Sequence, residues 1–125
     1  MAKILVIDDD DQLRALLLRV LERANHETAG AENGRAGELV YASFAPDLVV
    51  TDIVMPEQEG IETIMSLRRR NAGLPIIAMS GGAMYSSGEY LEIARRLGAA
   101  TLCKPFLPQD LLDAVDQALA GVRQL

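Results

Sequence analysis

Carboxylate, hydroxyl and ammonium side chains stand directly after four short apolar runs of the sequence. They are Asp8, Asp9, Asp52, Ser80 and Lys104. Three carboxylates held together repel one another, and burial raises their pKa values unless a cation neutralises them. Mg²⁺ fits such a site best because it combines one or two carboxylates with water and phosphate oxygens. A carboxylate beside Mg²⁺ can attack phosphorus to form an aspartyl phosphate, so Asp52 is the candidate phosphate acceptor.

The other two side chains suit the same chemistry. A transferred phosphoryl group spreads negative charge over its oxygens, so transfer depends on positioning and cations rather than on acid–base groups. Lys104 offers a compact charge for one oxygen, and Ser80 offers a hydroxyl donor for another. Simpler roles stay open, because Lys104 can be an ordinary surface lysine, and Asp8 and Asp9 can be helix caps. The position of both aspartates after a buried strand, and the presence of only two lysines in the chain, favour a site.

Five apolar runs alternate with five segments of helical periodicity. The runs that predict strands are residues 4–7, a weak run at 27–31, and residues 48–51, 76–79 and 101–103. The first, third and fourth runs are continuous, as in strands covered on both faces. This alternation predicts an α/β fold with a parallel sheet, helices on both faces and right-handed crossovers. Sites in such folds lie outside the carboxyl ends of the strands, where the residues named above are expected.

The predicted helices carry apolar stripes at i, i+3 and i+4 spacings. The residues expected on these buried stripes are Leu13, Leu16, Leu17, Val20 and Leu21 in the first helix, Ile61, Ile64 and Met65 in the third, and Leu111, Leu112, Val115, Leu119 and Val122 in the last. We expect Asp10 and Asp11 to cap the first helix. A capping box is expected from Ser86 to Glu89, and Pro108 suits the first turn of the last helix. Gly98 is expected to end the fourth helix.

Length and composition favour one compact domain, residues 1–125. Half the residues are hydrophobic, enough for a core without disulfides. The single cysteine, Cys103, excludes a disulfide within the chain, and we interpret it as inert packing in a buried strand. The apolar start is too short for a signal peptide or a membrane span. We therefore expect a soluble cytoplasmic protein that does not bind membranes.

The charge balance disfavours nucleic acid as a partner. The net charge is −6, and an acidic domain is repelled by a phosphate backbone unless its basic residues cluster. The clusters Arg68-Arg69-Arg70 and Arg95-Arg96 fall where helices are expected to end, and cations are favoured there. We expect no direct DNA binding, and we interpret the sole histidine, His26, as solvated.

Several motifs together resemble the receiver domain of bacterial two-component response regulators. They are Asp8-Asp9 after a strand, Asp52 with Met55-Pro56 and Gly60, Ser80-Gly81, and Lys104-Pro105-Phe106. They cover nearly the whole chain, in the order of a receiver of the chemotaxis-regulator type. The resemblance implies a three-layer, doubly wound, flavodoxin-like (βα)5 fold with sheet order 2-1-3-4-5. It also implies phosphoryl transfer from a histidine kinase or phosphotransfer protein, by a chain that catalyses only its own phosphorylation and dephosphorylation.

The resemblance assigns a role to each site residue. Asp9, Asp52 and the backbone carbonyl of Val54 would ligate Mg²⁺ directly, and Asp8 would hold a metal-bound water. The Lys104-Pro105 peptide would be cis. Phosphorylation would switch a surface that binds an unidentified downstream protein, and the fourth and fifth helices with the fifth strand would form a homodimer or partner face. Whether the chain stands alone or belongs to a longer protein stays open.

Two features depart from the family pattern. Thr101 stands where receivers commonly carry an aromatic switch residue, and Tyr85 or Tyr90 are the candidates to replace it. Val54 and Gly82 have no side-chain donor or acceptor to orient a hydrolytic water. We therefore expect the chain to remove its own phosphoryl group slowly.

Three other functions compete with this interpretation. A phosphatase of the haloacid dehalogenase type needs a second aspartate two residues after the nucleophile, where this chain has Val54. A flavodoxin needs a hydroxyl- and glycine-rich phosphate loop after the first strand, where this chain has four aspartates. A receiver-like interaction module that is not regulated by phosphorylation is the remaining alternative, which Thr101 favours and the complete set of acidic, hydroxyl and lysine residues opposes.

Overall fold

The computed structural model describes residues 1–53, 60–81 and 87–123, and for residues 81, 87–91, 122 and 123 it describes the backbone alone. The strands are β1 Lys3–Ile7, β2 Glu27–Ala31, β3 Leu48–Asp52, β4 Ile76–Gly81 and β5 Ala100–Lys104. The helices are α1 Asp11–Arg23, α2 Gly34–Phe44, α3 Gly60–Arg70, α4 Ser87–Arg96 and α5 Pro108–Arg123. Val54, Gly82, Tyr85 and Ser86 lie outside the described residues, as does the side chain of Tyr90. The predictions made for these groups therefore stay predictions.

All five strands are parallel, in the order β2-β1-β3-β4-β5, which confirms the predicted fold. Three strands, β3, β4 and β5, run further at their carboxyl ends than the apolar pattern indicated. Asp52 pairs with Met79, and Ser80 and Gly81 pair with Cys103 and Lys104. The site residues Asp52, Ser80 and Lys104 therefore belong to strands rather than to the loops after them. Their positions are fixed by the backbone hydrogen bonds of the sheet.

Two hydrophobic cores, one on each face of the sheet, hold the layers together. Alternate residues of β1 point to opposite faces, so Leu5 and Ile7 join one core while Ile4 and Val6 join the other. The first core packs against α2, α3 and α4, and the second against α1 and α5. Burial of one such leucine or isoleucine stabilises the fold by about 1.5–3 kcal/mol.

The helix boundaries follow the predicted signals. Asp10 is the N-cap of α1, and its Oδ1 accepts hydrogen bonds from the backbone N–H groups of Gln12 and Leu13. Pro108 is the first residue of α5. Gly98 follows α4 with φ of 84°, a left-handed conformation that favours glycine. These boundaries confirm the predictions for Asp10, Pro108 and Gly98.

Arg68 joins the end of α3 to the two loops beside it. Its guanidinium donates to the carbonyl oxygens of Leu97, at 2.6 Å, and Gly98, at 3.2 Å, which follow α4. It also donates to the carbonyls of Ala72 and Leu74 in the loop after α3. Burial lowers the pKa of Arg68, since its bonds go to neutral carbonyls rather than to a carboxylate. The residue therefore satisfies carbonyl groups, a more specific role than the helix-end charge predicted from the sequence.

Four predictions about burial were wrong. Leu16 and Met65 are 49 % and 43 % exposed, because the stripes that hold them are wider than the surface that the sheet covers. Cys103 is exposed, because β5 is an edge strand paired with β4 alone. His26 is half-buried, and its Nδ1 accepts a hydrogen bond from the N–H of Ala2.

Among the residues that the structure describes, no helix combines the length and the apolar character needed to cross a membrane.

Candidate functional site

The three predicted carboxylates lie together at the carboxyl edge of the sheet. Asp8 directly follows β1 and is fully buried, and Asp52, the last residue of β3, is 6 % exposed. Asp9 is exposed beside them. One carboxylate oxygen from each residue lies within 4.8 Å of the other two. Like charges at this spacing favour the binding of a cation.

Hydrogen bonds on three sides fix the orientation of Asp8. Its N–H donates to the carbonyl of Ala31 at 3.1 Å, so the pairing of β1 with β2 continues one residue beyond the strand. Its Oδ1 accepts the N–H of Asp10 at 2.9 Å, and its carbonyl accepts Nη1 of Arg14 at 2.7 Å. Its remaining side-chain oxygen, Oδ2, is the one that meets Lys104.

Lys104 bridges the two buried carboxylates. Its Nζ lies 3.0 Å from Oδ2 of Asp8 and 3.0 Å from Oδ2 of Asp52. Burial by itself lowers the pKa of Lys104, but the charges and hydrogen bonds of Asp52 and then Asp8 outweigh it and raise the pKa above its usual range. Lys104 is therefore a cation at neutral pH. The Lys104-Pro105 peptide is cis, as the resemblance implied.

Ser80 lies at the same edge of the sheet, 3 % exposed, in the strand between those of Asp52 and Lys104. It follows Met79, the register partner of Asp52, and precedes Gly81, the register partner of Lys104. The structure thus brings together Asp8, Asp9, Asp52 and Lys104, and it places Ser80 on the strand between the last two. Val54, the predicted carbonyl ligand, lies outside the described residues.

The donor set fits a hard divalent cation. Asp8, Asp9 and Asp52 present three carboxylates, while Lys104 supplies a single positive charge against them. Carboxylate oxygens with room for water and phosphate oxygens are the ligands that Mg²⁺ takes in proteins. A site of this composition can hold Mg²⁺ and a phosphoryl group together.

Two features of the site were missed from the sequence. Thr51, expected only as part of an apolar run, is fully buried, and its hydroxyl donates to the carbonyl of Asp52 at 3.1 Å. Gly60 was named only as part of the family motif. It packs so closely against the end of β3 that an added Cβ would lie 2.1 Å from the carbonyl oxygen of Asp52. A threonine in an otherwise aliphatic run is the available signal for the first. The second has none, because close backbone approach depends on the fold.

An apolar groove of about 380 Å³ adjoins the site. Its lining residues are Leu13, Leu16, Leu17 and Val20 of α1, and Lys104, Pro105, Phe106 and Pro108. Leu16, at 49 % exposed, is on this surface. The groove and the acidic site share Lys104, so a molecule bound in one lies next to the other.

Comparison with known proteins identifies a family. The response regulator receiver domain family matches residues 4–116. A chemotaxis protein CheY from Halobacterium salinarum is 35 % identical over 123 residues, which is 97 % of this chain and 100 % of that protein. The regulatory protein AtoC from Escherichia coli is 35 % identical over 118 residues, or 94 % of this chain, and the match spans only 25 % of AtoC.

Solved structures agree with the sequence comparison. The crystal structure of a response regulator receiver domain protein from Clostridium thermocellum has a TM-score of 0.91 and 26 % identity, and the match covers 99 % of this chain and 98 % of that chain. Receiver domains generally bind Mg²⁺ at an acidic pocket and interact with histidine kinases or phosphotransfer proteins. They are signalling phosphoacceptors rather than conventional enzymes. The match to this family over residues 4–116 sets aside the phosphatase and flavodoxin alternatives. The chain belongs to the response regulator receiver domain family, which acts in two-component phosphoacceptor signalling.

Proposed function

We propose that a phosphohistidine-bearing partner transfers its phosphoryl group to Asp52 in a Mg²⁺-dependent reaction, and that this switches a surface read by a downstream protein. The observation that carries the proposal is the bridge from Lys104 to Asp8 and Asp52, with Nζ 3.0 Å from each. One lysine against three carboxylates leaves excess negative charge. The site is therefore suited to a metal ion.

The transfer needs few groups from the chain. An oxygen of Asp52 forms the new P–O bond as the P–N bond to the donor imidazole breaks, and the electron pair of that bond leaves with the nitrogen. Lys104 stabilises the negative charge on the carboxylate and then on a phosphoryl oxygen. Ser80 donates its hydroxyl to a second phosphoryl oxygen. The hydrogen bond from the Thr51 hydroxyl to the carbonyl of Asp52 and the close packing of Gly60 hold the end of β3 in place during the reaction.

Asp8, Asp9 and Asp52 would hold the metal, together with the carbonyl of Val54. When bound, Mg²⁺ neutralises charge that develops on the phosphoryl oxygens. Asp8 is buried and already accepts bonds from the N–H of Asp10 and from Lys104. This supports an outer role for Asp8, through a metal-bound water, and a direct role for the exposed Asp9.

The groove beside Lys104 is the surface on which we place the phosphodonor. A donor that brings a phosphohistidine to Asp52 must lie over the edge of the sheet, where α1 and the residues before α5 form this apolar surface. We propose that the donor packs an apolar side chain against Leu16. Leu16→Glu should slow phosphorylation by a cognate donor protein but leave phosphorylation by acetyl phosphate unchanged. Leu39→Glu, on the 71 % exposed leucine of α2, is the matched control.

Phosphorylation of Asp52 would change the surface that β5 forms with α4, on the other side of β5 from the site. Movement of Lys104 toward a phosphoryl oxygen shifts the strand that also carries Thr101, and Nη2 of Arg95 in α4 donates to the Thr101 hydroxyl at 3.4 Å. We propose that this contact passes the change to α4, in place of the usual aromatic residue. The surface of α4, β5 and α5 would then bind the downstream protein or a second copy of the chain. Ile93, 41 % exposed, lies on α4 and is available to such a partner.

Phosphorylation by a small donor tests the proposal. The chain is incubated with Mg²⁺ and acetyl phosphate, and intact mass spectrometry reports the adduct before and after mild base. We expect a base-labile phosphate on the wild type and on Asp113→Asn, an exposed carboxylate of α5, but none on Asp52→Asn. A wild type that stays unlabelled under conditions that label a control receiver contradicts the proposal. That result favours an interaction module that is not regulated by phosphorylation, the alternative consistent with Thr101.

A further inference from the structure

Arg14 ties α1 to the loop that carries the acidic pair. Its side chain is 20 % exposed; Nη1 donates to the carbonyl of Asp8 at 2.7 Å, and Nη2 donates to Oδ1 of Asp11 at 2.7 Å. Its stem lies against β2, where a Cβ added to Gly30 would come within 3.3 Å of Arg14 Cδ. The guanidinium is thus fixed by two hydrogen bonds and a packed stem.

The carbonyl that Arg14 holds belongs to the peptide between Asp8 and Asp9. The N–H and Oδ1 of Asp8 are already fixed by Ala31 and Asp10. This peptide is therefore the first link between the hydrogen-bonded end of β1 and the exposed Asp9. Because a peptide unit is planar, fixing its carbonyl also fixes the N–H and the Cα of the next residue. The hydrogen bond from Arg14 to the carbonyl of Asp8 therefore sets the orientation of the Asp9 backbone, from which the Asp9 carboxylate extends.

We propose that Arg14 is a positioning residue that holds Asp8 and Asp9 in the geometry a divalent cation needs. This rests on the proposed Mg²⁺ site. Mg²⁺ demands near-ideal octahedral geometry, so it is sensitive to the direction of each ligand. Groups that orient metal ligands without touching the metal account for much of a site's affinity. Arg14 also orders the loop when the chain folds, so a smaller loss of conformational entropy opposes cation binding.

The charge of Arg14 has the opposite effect on a divalent cation. A guanidinium next to the acidic cluster repels the metal, so its removal would strengthen binding if charge were the dominant effect. Asp11 lies 2.7 Å from this guanidinium and offsets that repulsion. The positioning role therefore predicts weaker metal binding without Arg14, and a purely electrostatic role predicts tighter binding. The sign of the change separates the two.

Mn²⁺ binding gives a direct test that needs no phosphoryl transfer. The full chain is titrated with Mn²⁺ alone, and the free hydrated ion is counted by electron paramagnetic resonance at a temperature where circular dichroism shows each variant folded. Arg14→Met is expected to bind Mn²⁺ about ten-fold more weakly than the wild type. Arg14→Lys, which keeps the charge but has a single donor nitrogen, should fall between them. Arg19→Met, on the exposed side of α1, is the matched control and should bind like the wild type.

A second measurement separates positioning from general stability. With acetyl phosphate, the Mg²⁺ concentration for half-maximal rate should rise about ten-fold in Arg14→Met, while the rate at saturating Mg²⁺ stays close to the wild-type value. Unchanged or tighter Mn²⁺ binding in folded Arg14→Met overturns the inference. If that variant fails to fold, unchanged or tighter Mn²⁺ binding in Arg14→Lys overturns it instead. A wild type that binds Mn²⁺ but takes no phosphate would refute the proposed function and leave the inference about Arg14 standing.

Discussion

Gly60→Ala is the substitution whose effect follows most directly from the packing of the site. Gly60 is the first residue of α3, and its N–H donates to the carbonyl of Ile53 at 2.8 Å. A Cβ at this position would lie 2.1 Å from the carbonyl oxygen of Asp52, 2.5 Å from Cα of Ile53 and 2.7 Å from its carbonyl oxygen. All three are backbone atoms, so no side chain can turn away to make room.

The size of the effect follows from these distances. Separation to ordinary van der Waals contact moves α3 away from the end of β3 by about 1 Å, since nonbonded carbon contacts lie near 3.5 Å. Overpacking of this kind costs about 2 kcal/mol, which lowers the Tm of a domain of this size by roughly 8 °C. Displacement of a reacting group by about 1 Å costs on the order of 100-fold in rate. The rate of phosphorylation of Asp52 should therefore be affected more strongly than the free energy of unfolding.

Gly121→Ala is the matched control. Gly121 lies in α5 with nothing within 4 Å of an added Cβ, and alanine in a helix is more favourable than glycine by about 1 kcal/mol. Thermal unfolding followed by circular dichroism should show a lower Tm for Gly60→Ala and a slightly higher one for Gly121→Ala. The initial rate with acetyl phosphate at saturating Mg²⁺ should fall only in Gly60→Ala. A Gly60→Ala chain with the Tm and the rate of the wild type would refute this account of the site.

Three further predictions concern stability, pH dependence and phosphoryl lifetime. Arg68→Ala leaves the carbonyl of Leu97 without its donor and should cost about 2 kcal/mol in chemical denaturation; a change below the error of the measurement would contradict the carbonyl-satisfying role. Burial, and then the charge of the amino terminus, lower the pKa of His26 below 6.5. The folded chain therefore binds a proton at His26 less readily than the unfolded chain does. The stability that His26 contributes is present above pH 6.5 and is lost as the pH falls through the pKa of the folded state. His26→Asn should therefore lose less Tm than the wild type between about pH 8 and about pH 5, and equal losses would count against it. Val54→Asn should shorten the lifetime of the phosphorylated chain, measured by loss of the adduct after the donor is removed, and an unchanged lifetime would oppose the predicted slow hydrolysis.

Much of the fold was predictable because local patterns and the global architecture agree. Continuous apolar runs at β1, β3 and β4 predict strands covered on both faces, and β–α alternation then predicts a parallel sheet. Because sites in such sheets lie at the carboxyl ends of the strands, the sequence also predicts that Asp8, Asp52, Ser80 and Lys104 lie at one edge of the sheet. The sheet order came from the resemblance alone, and the structure confirms it.

The remaining features depend on three-dimensional surroundings that periodicity does not contain. Leu16 fits the buried stripe of α1, but the groove beside it is open, so the side chain is half exposed. Cys103 occupies an apolar strand, but only the partners of that strand decide that it is an edge. The bond from Arg14 to the carbonyl of Asp8 links a side chain to a backbone atom six residues away. Whether this hydrogen bond forms depends on the rotamer of Arg14 and on the path of the loop, and the spacing of residues in the sequence fixes neither.

The most direct test of the central claim is to locate the phosphate chemically. The chain is phosphorylated with acetyl phosphate and Mg²⁺, treated at once with borohydride, which reduces an aspartyl phosphate to homoserine, and digested for peptide mass spectrometry. We expect homoserine at position 52 and nowhere else, dependent on Mg²⁺ and greatly reduced in Lys104→Met. Homoserine at Asp8 or Asp9 instead, or labelling that persists in Asp52→Asn at the wild-type level, would contradict it.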